Sequence, residues 1–99
     1  MDYQIVWSPE ALSQLGDLVR FISSDNPSAA EKMGTAIIEK ILLLGQFPRM
    51  GKMFRKMNRD DVREILVSPY RIIYQIHESE KRVSISTIWH GARQEPDVR

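Results

Sequence analysis

Three runs decide the fold: Val62-Arg63-Glu64-Ile65-Leu66-Val67, Tyr70-Arg71-Ile72-Ile73-Tyr74-Gln75-Ile76, and Val83-Ser84-Ile85-Ser86-Thr87-Ile88-Trp89-His90-Gly91-Ala92-Arg93. They are rich in Ile, Val and Tyr, whose side chains suit a pleated, half-buried surface. Ser68-Pro69 and Glu78-Ser79-Glu80-Lys81 place turn residues between them, so the block reads as a three-stranded antiparallel meander. Side chains two apart on a strand share a face. Tyr70, Ile72, Tyr74 and Ile76 therefore form one face of the second strand, and Arg71, Ile73, Gln75 and His77 the other. On the third strand Val83, Ile85, Thr87 and Trp89 oppose Ser84, Ser86, Ile88 and His90. The alternation predicts a sheet with one core face and one wet face, with Arg71 and His90 together on the wet one.

Outward from the meander, Tyr3-Gln4-Ile5-Val6-Trp7 reads as a first short strand. Ser8-Pro9 then combines a side chain that can accept open amides with a residue suited to the first helical turn. Ala11, Leu15, Leu18, Val19 and Ile22 continue as one apolar stripe. Asn26-Pro27 repeats the start signal, and Ala30, Met33, Ile37, Ile41 and Leu44 form the second stripe. Gly45 and Pro48 mark its end. A short link makes the helices an antiparallel hairpin whose apolar stripes need a partner. The sheet's core face supplies one, which gives an α+β two-layer fold over residues 1–99, read as a single domain.

Composition narrows the function classes. The chain of 99 residues is 42% hydrophobic and 27% charged, an ordinary globular balance rather than a disordered one. It has no cysteine, which removes disulfides, thiolate metal sites and a cysteine nucleophile. The opening residues lack the basic segment and apolar run of a signal peptide. The longest apolar run, Ile41-Leu42-Leu43-Leu44, is far too short to span a membrane, so a cytoplasmic location is expected. Residues 1–48 hold three Lys/Arg against six Asp/Glu, net −3, whereas residues 49–99 hold eleven against seven, net +4. The basic half favours an acidic peptide or a phosphate backbone as partner.

The segment 49–61 has neither strand nor helix period and carries five Lys/Arg against two Asp, interleaved with Met and Phe. It reads as a loop or short helical turn suited to phosphate contact, or as a loop whose Met and Phe tuck under the sheet edge. No nucleotide loop, paired-histidine helix or nucleophile elbow is present, and no metal or cofactor is expected. What remains is a set of cations with one acid–base candidate: Arg63, Arg71, His90 and Arg93, with Lys52, Arg55 and Lys56 in the loop. Metal-free RNA cleavage needs a proton acceptor, a proton donor and fixed positive charge. His90 could serve one proton role, and Arg71 and Arg93 the charge. Tyr70 and Tyr74, by parity, are packing residues.

Ser8-Pro9-Glu10-Ala11, Asn26-Pro27-Ser28-Ala29-Ala30, Phe47-Pro48-Arg49-Met50-Gly51, Arg63-Glu64-Ile65-Leu66-Val67, Tyr70-Arg71-Ile72-Ile73-Tyr74 and Ile88-Trp89-His90-Gly91-Ala92-Arg93 occur in an order that resembles the RelE/ParE superfamily of type II toxins. The resemblance implies a small bacterial toxin with a β-αα-βββ fold, neutralised by an antitoxin whose C-terminal segment wraps it. Such antitoxins commonly carry a DNA-binding domain, so operator DNA would be reached through them. RelE-like members cut mRNA at the ribosome, and the resemblance then makes Arg71, His90 and Arg93 the catalytic set. ParE-like members poison DNA gyrase, and Lys52, Arg55, Lys56, Arg63, Arg71 and Arg93 would then be contacts to target or antitoxin. Pro96-Asp97-Val98-Arg99 stands where many of the ribonucleases have a needed aromatic. Together with the helical hairpin and the His90-Gly91-Ala92-Arg93 ending, this places the chain closer to the ParE side. A third reading is a non-toxic remnant that binds its antitoxin and serves in operon repression.

Overall fold

Both helix starts arise from the two proline-led signals. In the computed structural model, which describes residues 2–92, Ser8 is extended and its hydroxyl accepts the Ala11 amide at 2.9 Å, opening helix α1 (Pro9–Ser23). Asn26 likewise accepts the Ala29 amide at 3.1 Å and opens α2 (Pro27–Leu42). The last turn of α2 tightens into a 3-10 turn at Leu43–Gly45. Gly45 is not a left-handed cap, since no glycine among the described residues has positive φ. It provides space instead: its carbonyl accepts the Tyr3 amide at 2.7 Å, and an added Cβ would stand 3.2 Å from the Tyr3 carbonyl.

Five strands, β1 (Gln4–Trp7), β2 (Lys52–Met53), β3 (Val62–Val67), β4 (Tyr70–His77) and β5 (Arg82–His90), lie in the order β1-β5-β4-β3-β2. β1 runs parallel to β5, and every other neighbour is antiparallel. The two-residue β2 falls inside what the sequence reads as a loop. β1 accompanies only the first half of β5. Beyond it α1 takes the place of a strand: the Ser8 hydroxyl donates to the Ser86 carbonyl at 3.0 Å. The side-chain Oε1 of Gln14 accepts the Ile88 amide at 2.6 Å and the Thr87 hydroxyl at 3.0 Å. These bonds satisfy an edge that would otherwise present bare backbone groups.

The β4–β5 register slips by one residue. Tyr74 faces Ile85 while Ile73 faces Thr87, so Ser86 is left over as a bulge. One extra residue reverses the side-chain parity of everything beyond it. Val83 and Ile85 before the bulge, and Ile88 after it, all join the helix-side core. Trp89 falls on the opposite face beside Ile73, and His90 falls on the helix side opposite Tyr70. The expectation that Arg71 and His90 share the open face is therefore corrected, and the bulge is the reason.

On the helix side Ile37, Ile41 and Leu44 meet Ile72, Tyr74, Val83 and Ile85, all fully buried. Each such side chain contributes about 1.5–3 kcal/mol relative to exposure. The other face is only partly wet. Residues 54–61 fold back over it, and Phe54 packs with Val62, Ile73 and Trp89, flanked by Met57.

One hydroxyl ties these layers together. Tyr74 donates to the Pro48 carbonyl at 2.7 Å and accepts the Gly51 amide at 3.0 Å, and burial pushes its phenol above the ordinary range. Gly51 must be glycine here, because a Cβ would stand 2.6 Å from the Glu64 carbonyl oxygen and as close to the Tyr74 hydroxyl. Tyr74→Phe strands a donor and an acceptor and is expected to lower stability by about 1–3 kcal/mol. Gly51→Ala should lower it by about 2 kcal/mol or more, since backbone must move. Urea denaturation of the two variants checks both. Unchanged midpoints would mean that the 48–51 turn is not pinned by Tyr74.

Candidate functional site

Arg71 sits in the second of three neighbouring open-face strands, opposite Leu66 on β3 and Trp89 on β5. Its guanidinium carbon lies 4.8 Å from the Trp89 ring centroid, a cation–π contact. Its Nη2 donates to both carboxylate oxygens of Glu64, at 2.8 and 2.7 Å. Glu64 is only 6% exposed, and Lys52, directly opposite it on β2, brings its Nζ to 3.4 Å. A buried carboxylate is tolerated because it is paired and hydrogen-bonded, and here two cations serve one anion.

His90 lies across the sheet from this cluster. Its ring meets Tyr70 edge to face at 5.5 Å and 81°, and its Nδ1 accepts the Ala92 amide at 3.1 Å. A neutral ring so bonded carries its proton on Nε2. The surrounding hollow, about 390 Å³, is lined by Gln14, Asp17, Leu18, Phe21, Tyr70 and Ile88 among others. Arg71 and His90 thus project from opposite faces of the sheet. Arg93 lies outside the described residues.

The other expected contacts divide in two. Lys52, Arg55 and Lys56 are exposed, and Lys52 and Arg55 line a hollow with Glu64 and Arg71. Arg63 is not part of that surface: only 15% of its side chain is exposed. It donates to the Asp60 carbonyl at 2.9 Å, the Asp60 carboxylate at 2.6 Å, and the Gly51 carbonyl at 2.8 Å. These bonds make it a clamp on the loop. A cleft of about 690 Å³ opens between Lys40, Met50, Lys52, Glu64, Leu66 and Arg71. Met50, Met53 and Leu66 remain 39, 42 and 60% exposed, so this basic surface is also apolar. Sequence reading missed Glu64 and Trp89 as members of the cluster. Glu64 had a signal: a carboxylate between Val62 and Leu66 on one strand face needs a buried partner or water. Among the described residues no three His, Asp or Glu side chains gather to hold a metal ion, and no helix is long and apolar enough to cross a membrane.

This sequence and this arrangement of elements have relatives among known proteins. Residues 5–95 match the family described as the ParE toxin of the type II toxin–antitoxin system parDE. Y4kP, a predicted toxin of Sinorhizobium fredii, is 30% identical over 97 residues, covering 96% of this chain and 95% of its own length. Among solved structures, the chromosomal ParDE system of P. aeruginosa superposes with a TM-score of 0.73 at 20% identity, covering 89% of this chain and 95% of that one. The RelBE2 toxin–antitoxin complex of Mycobacterium tuberculosis gives 0.66 at 21% identity, covering 91% and 99%. At such identities the two structures establish a common fold.

A charge network clamps the loop beside the site. Arg49 bridges Asp60 at 2.5 Å and Glu78 at 3.2 Å, and Glu78 also accepts the Tyr3 hydroxyl. The Arg49 bond holds the Asp60 carboxyl below its ordinary range, the Arg59 bond does so for Asp61, and the Tyr3 bond leads for Glu78. Depressed folded-state values mean that this stabilisation is complete above the unfolded carboxylate range and is lost as pH falls through the folded values. Stability should therefore be flat from about pH 5 to 8 and decline below about pH 4. Asp60→Asn should flatten that decline. Urea midpoints across the range check this, and an equally steep acid limb in the variant would remove Asp60 from the clamp.

Proposed function

The chain belongs to the ParE toxin family of type II toxin–antitoxin systems, and from that premise we propose that it acts by binding DNA gyrase rather than by cutting RNA. The observation that carries this reading is the placement of Arg71 and His90 on opposite faces of the sheet. Phosphodiester cleavage by general acid–base chemistry needs its proton carriers and fixed cations around one phosphate. The charge of Arg71 is, moreover, already engaged by Glu64. In this reading Lys52, Arg55, Lys56, Arg71 and Arg93 are contacts and not catalysts. His90 is a packing residue beside Tyr70.

The same surface suits the antitoxin as partner. A cleft combining Lys40 and Lys52 with Met50 and Leu66 fits the C-terminal segment of an acidic, amphipathic antitoxin lying along the sheet edge. Support comes from the ParDE and RelBE2 structures, which are themselves toxin–antitoxin systems. Operator DNA would be contacted through the antitoxin, and the chain works as one toxin domain.

A supercoiled plasmid incubated with gyrase, ATP and purified toxin should accumulate linear cleaved DNA in proportion to toxin, and the antitoxin encoded beside it should reverse this. His90→Ala should leave the dose response unchanged, whereas Lys52→Glu combined with Arg55→Glu should weaken it. A toxin that is inert on gyrase yet cleaves ribosome-bound mRNA, with activity lost in His90→Ala, would overturn the proposal.

A further inference from the structure

Arg71 has the geometry of an anion receptor, and the receptor is filled from within. A guanidinium on an open sheet face, backed by an aromatic ring at 4.8 Å, is the arrangement by which a phosphate or carboxylate is gripped through paired N–H groups. Here the gripped group belongs to the chain itself. Glu64, diagonally across the β3–β4 pair, places both its oxygens on Arg71 Nη2. Lys52, the nearest other cation of the cleft, is drawn to the same carboxylate.

We propose that Glu64 is an internal anion that occupies the phosphate-accepting side of Arg71 and thereby keeps this face from binding a phosphodiester backbone. Glu64 is then the specificity-determining residue of the site. The proposal rests on the reading of the chain as a protein-directed toxin and supplies the residue that enforces it. Glu64 cannot simply step aside: it is 6% exposed, and moving it would leave a carboxylate unpaired in a buried position. A phosphate approaching Arg71 therefore meets a fixed like charge as well as a partner already engaged. Replacing Glu64 by Gln keeps the shape and removes the charge, so that the anion between two cations is gone while Arg55 lies nearby.

The test titrates the full chain and Glu64→Gln with inorganic phosphate and with a short single-stranded RNA at low salt. The Arg71 side-chain N–H and the Trp89 indole N–H are followed by NMR. In the unaltered protein these two signals should not move. In Glu64→Gln they should move, and RNA should bind about tenfold tighter or better, the scale of one additional charge-assisted hydrogen bond. Adding Arg71→Ala to Glu64→Gln should abolish the increase. A Glu64→Gln protein with a native amide spectrum and no tighter binding overturns the proposal, as do Arg71 signals that shift in the unaltered chain. Should Glu64→Gln fail to fold, Glu64→Asp, which draws the charge back by one methylene, takes its place with a smaller increase expected, and no increase there overturns it equally. Gyrase plays no part in the readout, so failure here leaves the target reading standing, and failure of the gyrase assay leaves this titration free to decide Glu64.

Discussion

The single extra residue in β5 governs the rest of the molecule. Because a strand alternates its side chains strictly, inserting Ser86 opposite nothing on β4 turns each later residue to the other face. Val83 and Ile85 can thus face the helices, and Ile88 can do so as well, filling the core beneath α1. Trp89 is left to close the second, smaller core against Phe54 and Ile73. Without the slip Ile88 would be stranded on the open face and Trp89 driven under the helices. The bulge coincides with the end of β1's support, where Ser8 and Gln14 take over the edge of β5. Departure of β1 into α1, the bulge and the capped edge are one local solution to the mismatch between a four-residue strand and a nine-residue neighbour.

That slip also separates the parts of the fold that were legible in the sequence from those that were not. Ser8-Pro9 and Asn26-Pro27 are local chemistry, with the cap, the first turn and the stripe all within a few residues, so both helices followed from the sequence directly. The strands were legible as well, since their Ile, Val and Tyr content depends on burial alone. The parity of β5 was not, although a trace of it was present: apolar positions run 83, 85 and then 88, a change from odd to even. Reading through that change as uninterrupted alternation put His90 beside Arg71. β2 was invisible because two residues carry no period, and Gly45 was misjudged because close approach by Tyr3 is a long-range fact.

The site was legible as a set of residue types rather than as an arrangement. The basic half identified Lys52, Arg55, Lys56 and Arg71 as surface cations, yet nothing local distinguishes them from Arg63, whose guanidinium is consumed by Asp60 and two backbone carbonyl groups of the 49–51 turn. The difference lies in loop closure. Arg63 sits where β3 meets the returning loop, and a planar fork with several donors is well matched to a turn's unsatisfied carbonyls. Arg71 sits one strand further in, where side chains rather than turn carbonyls face it, and its partners there include a carboxylate and a ring.

The same contrast bears on what a surface of this kind can select. A face with unopposed cations attracts any polyanion, and its affinity is dominated by non-specific, salt-dependent contacts. A face on which a buried carboxylate offsets the central arginine, with basic and apolar residues at its rim, discriminates by shape and by the position of its partner's charges. Met50, Met53 and Leu66 supply the apolar component and Lys52 the peripheral charge. On the proposed reading, Glu64 converts what would otherwise be a phosphate-binding strand into a surface suited to a folded or folding polypeptide. On this argument an anion beside Arg71 can decide whether this face accepts a phosphate backbone or a polypeptide, with no change in the arginine itself.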